Sequence, residues 1–240
     1  MQNIKDWKPT KIINTGKRFK PNPASISIHS YYVCNTYLKF YIDYIKRYAS
    51  GKLLDCGCGT VPYYEIYREL VDEIYCTDWE NSMHDNKFVD AYSDLNTRLN
   101  FESEFFDTVL LTDVLEHIYN PSNLMNEIAR VLKPGGKVII AVPFFYWIHE
   151  QPHDYYRYTE FTLRRICEDS GLKILELEPY GGYLDVLFDT INKVFIRKKF
   201  LLKVFMPLAL MIKKSFINRK INKKHQNKYP LGYILCAEKL

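Results

Sequence analysis

Residues 52–60 read KLLDCGCGT, and the reading of this stretch decides the fold. Lys52–Cys56 is a short apolar run of strand type that carries an acid, Asp55, just before Gly57 and Gly59. A strand running into a Gly-rich turn and then a helical stretch near Tyr63–Leu70 opens an α/β unit. The two glycines allow a sharp turn and let the backbone approach a ligand with no Cβ in between. A dinucleotide fingerprint would place a third glycine at position 62, where the chain has Pro62, and it does not need Asp55. The acid points to a cationic ligand in preference to pyrophosphate. The competing reading is a tight turn with a buried Asp.

Outward from this stretch the pattern alternates. Glu73–Thr77 reads as a strand, as does Phe106–Thr112 (FDTVLLT). Ser122–Val131 reads as a helix ending at Pro134-Gly135-Gly136, followed by the apolar strand Lys137–Val142. Thr159–Asp169 reads as a helix with Thr159 as N-cap and Gly171 as its stop. Leu172–Glu178 and Gly232–Glu238 are late strands. Such alternation predicts a doubly wound, mostly parallel sheet with helices on both faces. Ligands of such sheets bind beyond the carboxyl ends of the strands. Before this body, residues 1–25 read as an irregular arm with Pro9, Pro21 and Pro23, and Ile28–Tyr48 as a Tyr-rich helix. That helix either closes over a ligand or simply packs in the core.

Charge divides the chain. Its formal net charge is +5, from 33 Lys and Arg against 28 Asp and Glu. Residues 190–230 hold twelve Lys or Arg and no acid, which leaves 21 basic against 28 acidic residues elsewhere. An acidic body therefore carries a basic segment, and 185–224 interleaves those charges with Leu, Phe, Ile and Met. The segment reads as two amphipathic helices, with Pro207 breaking or kinking the middle. Three partners compete for it: a lid or dimer contact, an anionic membrane surface, and nucleic acid. The apolar content favours the membrane. Val204–Ile212, the longest uncharged apolar stretch of the basic segment, is too short to span a bilayer. Six cysteines (34, 56, 58, 76, 167, 236) lack CxxC or framework spacing, so a reduced, cytoplasmic setting is expected, with peripheral contact at the inner membrane face.

Chemistry should lie in the loops after the strands. YCTDWE (75–80) places Asp78 where nucleotide-binding sheets hold ribose hydroxyls, with Trp79 as a flat face for a base. YSDLN (92–96) places Asp94 and Leu95 after a third strand. PFFYWIHEQPHDYYRYT (143–159) is dense in polar and aromatic groups. Its His149 and His153 are four apart as in HExxH, but Pro152 between them argues against a helical metal motif, and no metal is expected. The loop reads as a substrate-binding lid with a general base, or as a network in which Arg157 and Asp154 tie it to the sheet.

DCGCG, the acid of CTDW, FFDTVLLTDVLEHI and LKPGGKVIIAVP, in that order, resemble the class I S-adenosylmethionine-dependent methyltransferases over roughly 50–180 plus the final strand. The resemblance implies a seven-stranded Rossmann-like sheet and S-adenosyl-L-methionine as cofactor. It sets Asp55, Gly57 and Gly59 against the methionine part, Asp78 on the ribose, Trp79, Asp94 and Leu95 near adenine, and Thr112 and Asp113 near the sulfonium. A cationic cofactor suits an acid-lined pocket. His117 of Glu116-His117 would stand near the reacting group or brace a helix. Segments like P-H-D-x-x-R-[YF]-T occur in members that make cell-surface glycans and lipid-linked products. The implied catalytic candidates are His149, His153 and His117, with Tyr146, Asp154, Tyr155 and Arg157 binding the acceptor. The expected organisation is an N-terminal arm and helix (1–50), a methyltransferase domain (51–183 and 230–240) and a basic helical insert (184–229). The expected function is O-methylation of a small-molecule, glycan or lipid-linked acceptor near a membrane. A quinone, lipid or nucleic-acid methyltransferase and a non-catalytic cofactor-binding protein remain open. So does a nucleotide-dependent oxidoreductase, against which Pro62 and Asp55 speak. TDVLEH lacks the Asn/Asp-Pro-Pro-aromatic motif of base amino methyltransferases, which argues against nucleic acid.

Overall fold

The computed structural model describes residues 1–82 and 87–240 of the 240-residue chain. Its centre is a seven-stranded sheet built from β3 (Lys52–Cys56), β4 (Glu73–Asp78), β5 (Ala91–Tyr92), β6 (Phe106–Thr112), β7 (Leu132–Pro143), β8 (Leu172–Tyr180) and β9 (Gly232–Lys239). The spatial order is β5-β4-β3-β6-β7-β9-β8. All pairings from β5 to β7 are parallel, and β9 runs antiparallel to both β7 and β8. The expected doubly wound, mostly parallel seven-stranded sheet is therefore the observed one. The chain order reverses between β3 and β6, which opens a crevice at their carboxyl ends.

Alternation along the central strands explains why the sheet is buried on both faces. In β6 and β7, Leu110, Ile139 and Ala141 face one core with Tyr37, Tyr41 and Ile45 of α1 (Ile28–Tyr48). Their neighbours Val109, Leu111, Val138 and Ile140 face the other core. There they meet Leu124 and Ile128 of α3 (Pro121–Val131) and Leu163 of α4 (Glu160–Asp169). Successive side chains on a strand point to opposite faces, so an unbroken apolar run fits only a strand covered on both sides. Thr159 caps α4, accepting a 3.3 Å bond from the Thr162 N–H. The turn near Tyr63–Leu70 yields only one helical turn, α2 (Tyr64–Tyr67).

Two expectations are corrected. The N-terminal arm is not wholly irregular. It contains a hairpin of β1 (Ile12–Asn14) and β2 (Phe19–Pro21), closed by a bond from the Gly16 N–H to the Asn14 side chain, with Gly16 left-handed. The basic segment forms three helices instead of two: α5 (Tyr183–Val194), α6 (Lys199–Lys214) and α7 (Phe216–His225). Pro207 sits inside α6 without ending it. A mid-helix proline costs about 3 kcal/mol. Leu202, Met206 and Ala209 of the same helix are buried, the last two against Tyr32 of α1 and Phe188 of α5, and this packing holds α6 together across the proline. Among the described residues no helix is long and apolar enough to cross a membrane. All six cysteines are buried free thiols.

Leu110→Ala, in the centre of the sheet, should lower unfolding free energy by about 2–5 kcal/mol in urea titration. Phe161→Ala on the exposed side of α4 should stay within about 0.5 kcal/mol of the parent protein.

Candidate active site

The carboxyl ends of β3, β4, β6 and β7 and the loop after β5 border one cavity of about 660 Å³. The first wall is the turn after β3. Gly57 has φ +74°, and a Cβ there would stand 2.5 Å from Val114 Cγ2, so only glycine fits. The N–H groups of Gly57 and Cys58 donate to the Thr77 carbonyl at 2.9 and 3.0 Å, which pins this turn to the end of β4. Asp78 completes the joint. Its Oδ2 accepts from the Gly59 N–H at 2.6 Å and its Oδ1 from the Trp79 N–H at 2.7 Å. Each carboxylate oxygen keeps acceptor capacity for a further donor.

Asp55 lies beneath, 3% exposed, and accepts a 2.8 Å bond from the Tyr67 hydroxyl. Burial pushes its carboxyl up to about 7; the Tyr67 bond opposes the rise and the Asp78 charge adds to it. Asp113, after β6, is left-handed at φ +56°. Its Oδ1 accepts from the Tyr41 hydroxyl of α1 at 2.7 Å, and Lys11 stands 3.6 Å from its Oδ2. A non-glycine residue in this conformation is strained and is characteristic of functional sites. The Tyr41 bond, with Cys34 and Tyr37 in the cavity wall, shows that α1 does both things considered for it: it packs in the core and closes the site.

The facing wall comes from the loops after β6 and β7. His117 Nδ1 is 2.7 Å from the His153 carbonyl, so Nδ1–H donates and the lone pair lies on Nε2. The His117 and His149 rings meet edge to face at 4.8 Å. Burial, then the neighbouring His117 ring, lowers the pKa of His149. His153 meets Trp79 edge to face at 5.4 Å, and both border the cavity.

Of the residues singled out from sequence, Asp55, Gly57, Gly59, Asp78, Trp79, Asp94, Leu95, Thr112 and Asp113 all border the cavity. So do His117, His149, His153, Tyr146 and Tyr155. Asp154 and Arg157 do not. They form a bidentate pair at 2.5 and 2.8 Å, and Arg157 also donates to the carbonyls of Tyr146 (3.3 Å) and Trp147 (2.9 Å). Although burial opposes it, the Arg157 bonds hold Asp154 down at about 2. These two residues brace the loop on itself and not against the sheet, and neither borders the cavity where an acceptor would lie. Glu116, Lys11 and Tyr180 border the cavity without having been singled out. Lys11 had no sequence signal, whereas the run of tyrosines at helical spacing in α1 was visible.

The cavity fits a ligand with a cationic end and hydroxyl donors. Asp55 is buried with no cationic partner among the described residues, Asp78 retains lone pairs, and the glycine turn leaves backbone open to the ligand. Comparison with known proteins agrees. Residues 54–140 match the family model described as a methyltransferase domain. An uncharacterised protein of Methanocaldococcus jannaschii is 34% identical over 102 residues, covering 41% of this chain and 44% of that protein. The ubiquinone biosynthesis O-methyltransferase of Xanthomonas oryzae is 28% identical over 116 residues, covering 42% and 47%. The chain thus spans less than half the length of these relatives. The crystal structure of a SAM-dependent methyltransferase from Archaeoglobus fulgidus superposes with a TM-score of 0.57 at 21% identity, covering 84% of this chain and 91% of that one, which shows the shared fold. Residues 54–140 thus match a methyltransferase domain, and S-adenosylmethionine is the cofactor that such a domain indicates.

A cation beside Asp55 favours its charged form, so the proton held at pH below about 7 must leave on binding. The affinity for S-adenosylmethionine should fall about tenfold per pH unit below 7 and level off above it, measured by calorimetry. Asp55→Asn should flatten this profile and weaken binding about tenfold or more. In the ligand-free protein the sign is opposite. Native Asp55 keeps a proton that the unfolded chain releases near 3.8, so its share of stability is present below that value and lost as pH rises through 7.

Proposed function

We propose that the chain transfers the methyl group of S-adenosylmethionine to a hydroxyl of a glycan or lipid-linked acceptor at a membrane surface. One observation carries the reading: the acid- and glycine-lined loops of β3 and β4 and the histidines of the β6 and β7 loops border the same cavity. The cofactor supplies a methyl group on a positively charged sulfur, and the protein's part is to orient the acceptor, exclude water and receive a proton. Tyr146 and Tyr155 flank the acceptor, while Asp154 and Arg157 hold the loop that carries them. Among the proton acceptors, His149 stands first and His153 second by sequence. The lone pair on His117 Nε2, fixed by the His153 carbonyl, brings His117 level with them. The relative named for ubiquinone biosynthesis O-methylation supports an oxygen acceptor and favours a second reading, a quinone-like lipid in place of a glycan.

The basic insert supports the surface. Phe200, Val204, Leu208 and Met211 form a stripe at helical spacing along α6, each 48–77% exposed, and Phe216 and Ile217 extend it onto α7. Arg197, Lys198, Lys203, Lys214, Arg219, Lys220, Lys223, Lys224 and Lys228 are exposed around it. Apolar area ringed by cations is the composition that docks on an anionic bilayer, each basic group near the surface adding about 1 kcal/mol. A nucleic-acid face needs the charges but not the stripe. Two other basic residues of the segment are not part of this surface. Lys193 lies 3.8 Å from Asp189 and donates to the Tyr146 hydroxyl at 3.1 Å. Lys213 donates to Thr36 at 2.6 Å, and burial lowers its pKa to about 8. They tie the insert to the cavity wall and to α1.

Incubation with labelled cofactor and either a lipid extract or a glycan-precursor pool should yield a labelled acceptor from one of them. His149→Gln and His153→Gln should each bind cofactor normally and lose about a hundredfold or more in turnover. Full turnover in both would remove them as proton acceptors. In flotation, the protein should rise with anionic vesicles and not with neutral ones. Replacing Phe200, Val204 and Leu208 by Ser should lower that partition about a hundredfold or more. Tight, salt-sensitive RNA binding without vesicle binding would refute the membrane surface.

A further inference from the structure

Glu116 is wholly buried, and neither of its carboxylate oxygens has a hydrogen-bond partner. An uncompensated buried carboxylate is costly unless a positive group meets it. What faces it is the acceptor side of a histidine: His117 Nε2 lies 3.7 Å from Glu116 Oε1 and 3.8 Å from Glu150 Oε2. With Nδ1–H committed to the His153 carbonyl, a ring lone pair and two carboxylates converge on one point. Such a point calls for a cation.

His149 completes the group. One coordinating atom from each of Glu116, His117 and His149 falls within 4.8 Å of the others. One surrounding contact is of the kind that orients a metal-bound imidazole: the distal N–H of His117 goes to a backbone carbonyl. The His149 backbone N–H donates to Asp154 Oδ2 at 2.8 Å, which fixes that residue in the loop, while its buried Nδ1 makes no hydrogen bond among the described residues. Two imidazoles and a carboxylate are a donor set for zinc and its first-row neighbours. Ligand distances of about 2.0–2.2 Å require the three groups to close by roughly 1 Å. The H-E-x-x-H-D spacing hid this arrangement. His149 partners His117, from a loop on another strand, and not His153.

We infer that Glu116, His117 and His149, with Glu150 beside them, bind one divalent transition-metal ion in the wall of the cavity. The ion site stands on these residues alone, and its use in catalysis rests on the proposed methyl transfer to oxygen. An acceptor hydroxyl bound to the ion gives up its proton more readily, and with His117 and His149 committed to the ion, His153 is the candidate histidine left to receive it. The oxygen lone pair then takes the methyl group, and the sulfur keeps the electron pair of the broken carbon–sulfur bond.

Metal-free protein spanning all 240 residues, titrated with Co(II), should develop visible d–d absorption that saturates at one equivalent and is displaced by Zn(II). His117→Ala, His149→Ala and Glu116→Gln should each weaken Co(II) binding about tenfold to a hundredfold or more. His225→Gln, at the end of α7, should leave it unchanged. S-adenosylhomocysteine binding in every variant guards against misfolding, and because Glu116 is buried, His149→Ala is the decisive substitution. The site is overturned by protein that binds S-adenosylhomocysteine but shows no saturable Co(II) uptake at submillimolar metal. It is equally overturned if uptake survives His117→Ala and His149→Ala. Full methyl transfer by metal-free protein would overturn the ion's role in catalysis. Ion binding without any methyl transfer would support the site and count against the acceptor reading.

Discussion

The Asp78 carboxylate is the joint on which the cleft depends. Its two oxygens hold the Gly59 and Trp79 N–H groups, so the turn after β3 and the end of β4 cannot move apart. The bonds from Gly57 and Cys58 to the Thr77 carbonyl reinforce that link. With the two loops fixed, Asp55 stays buried below them and the glycine turn stays open above. A charge-assisted bond to a backbone N–H is among the stronger hydrogen bonds available, and here it is shielded from water. The pocket is thereby shaped before a ligand arrives, which lowers the ordering cost of binding.

Around this joint the rest of the molecule supplies enclosure. α1 lies over one face of the sheet and lends Tyr41 to Asp113. The insert packs on α1 through Tyr32, Phe188, Met206 and Ala209, and sends Lys193 to Tyr146 in the cavity wall. Any surface that the exposed stripe of α6 meets is therefore two contacts away from the acceptor loop. The acidic body and the basic segment are not independent halves. Asp185 and Asp189 are buried in α5. The Tyr32 hydroxyl donates to Asp185 at 2.6 Å, and Lys193 stands beside Asp189.

The sheet was legible because its signal is local. FDTVLLT is a strand in sequence and in space, and Thr159 caps its helix as its residue type suggests. That the acid- and glycine-lined residues share a cavity was legible for a similar reason: each lies at or just after the carboxyl end of a strand, and strand ends of a parallel sheet converge. Less was visible where local preference was overridden. Pro207 reads as a breaker, yet buried packing on one side of α6 carries the helix past it. Asp154 and Arg157 look like ligand-binding groups in a loop, yet they satisfy each other. A chain does not announce which of its charges will be internally paired.

By itself, the sequence determined the α/β class, the parallel strands, the glycine turn that only glycine can make, and the division of charge between body and insert. All of these follow from backbone preferences and from the periodicity of apolar residues, which act over a few neighbours. Tertiary structure alone decided that Glu116, His117 and His149 share one corner and that Tyr41 reaches Asp113. It also decided that two lysines of the basic segment turn inward while an apolar stripe turns out. These pairings join residues about 30 to 180 positions apart. They depend on how helices pack on the sheet, a balance of volume and burial summed over the whole core, which no short stretch of sequence contains.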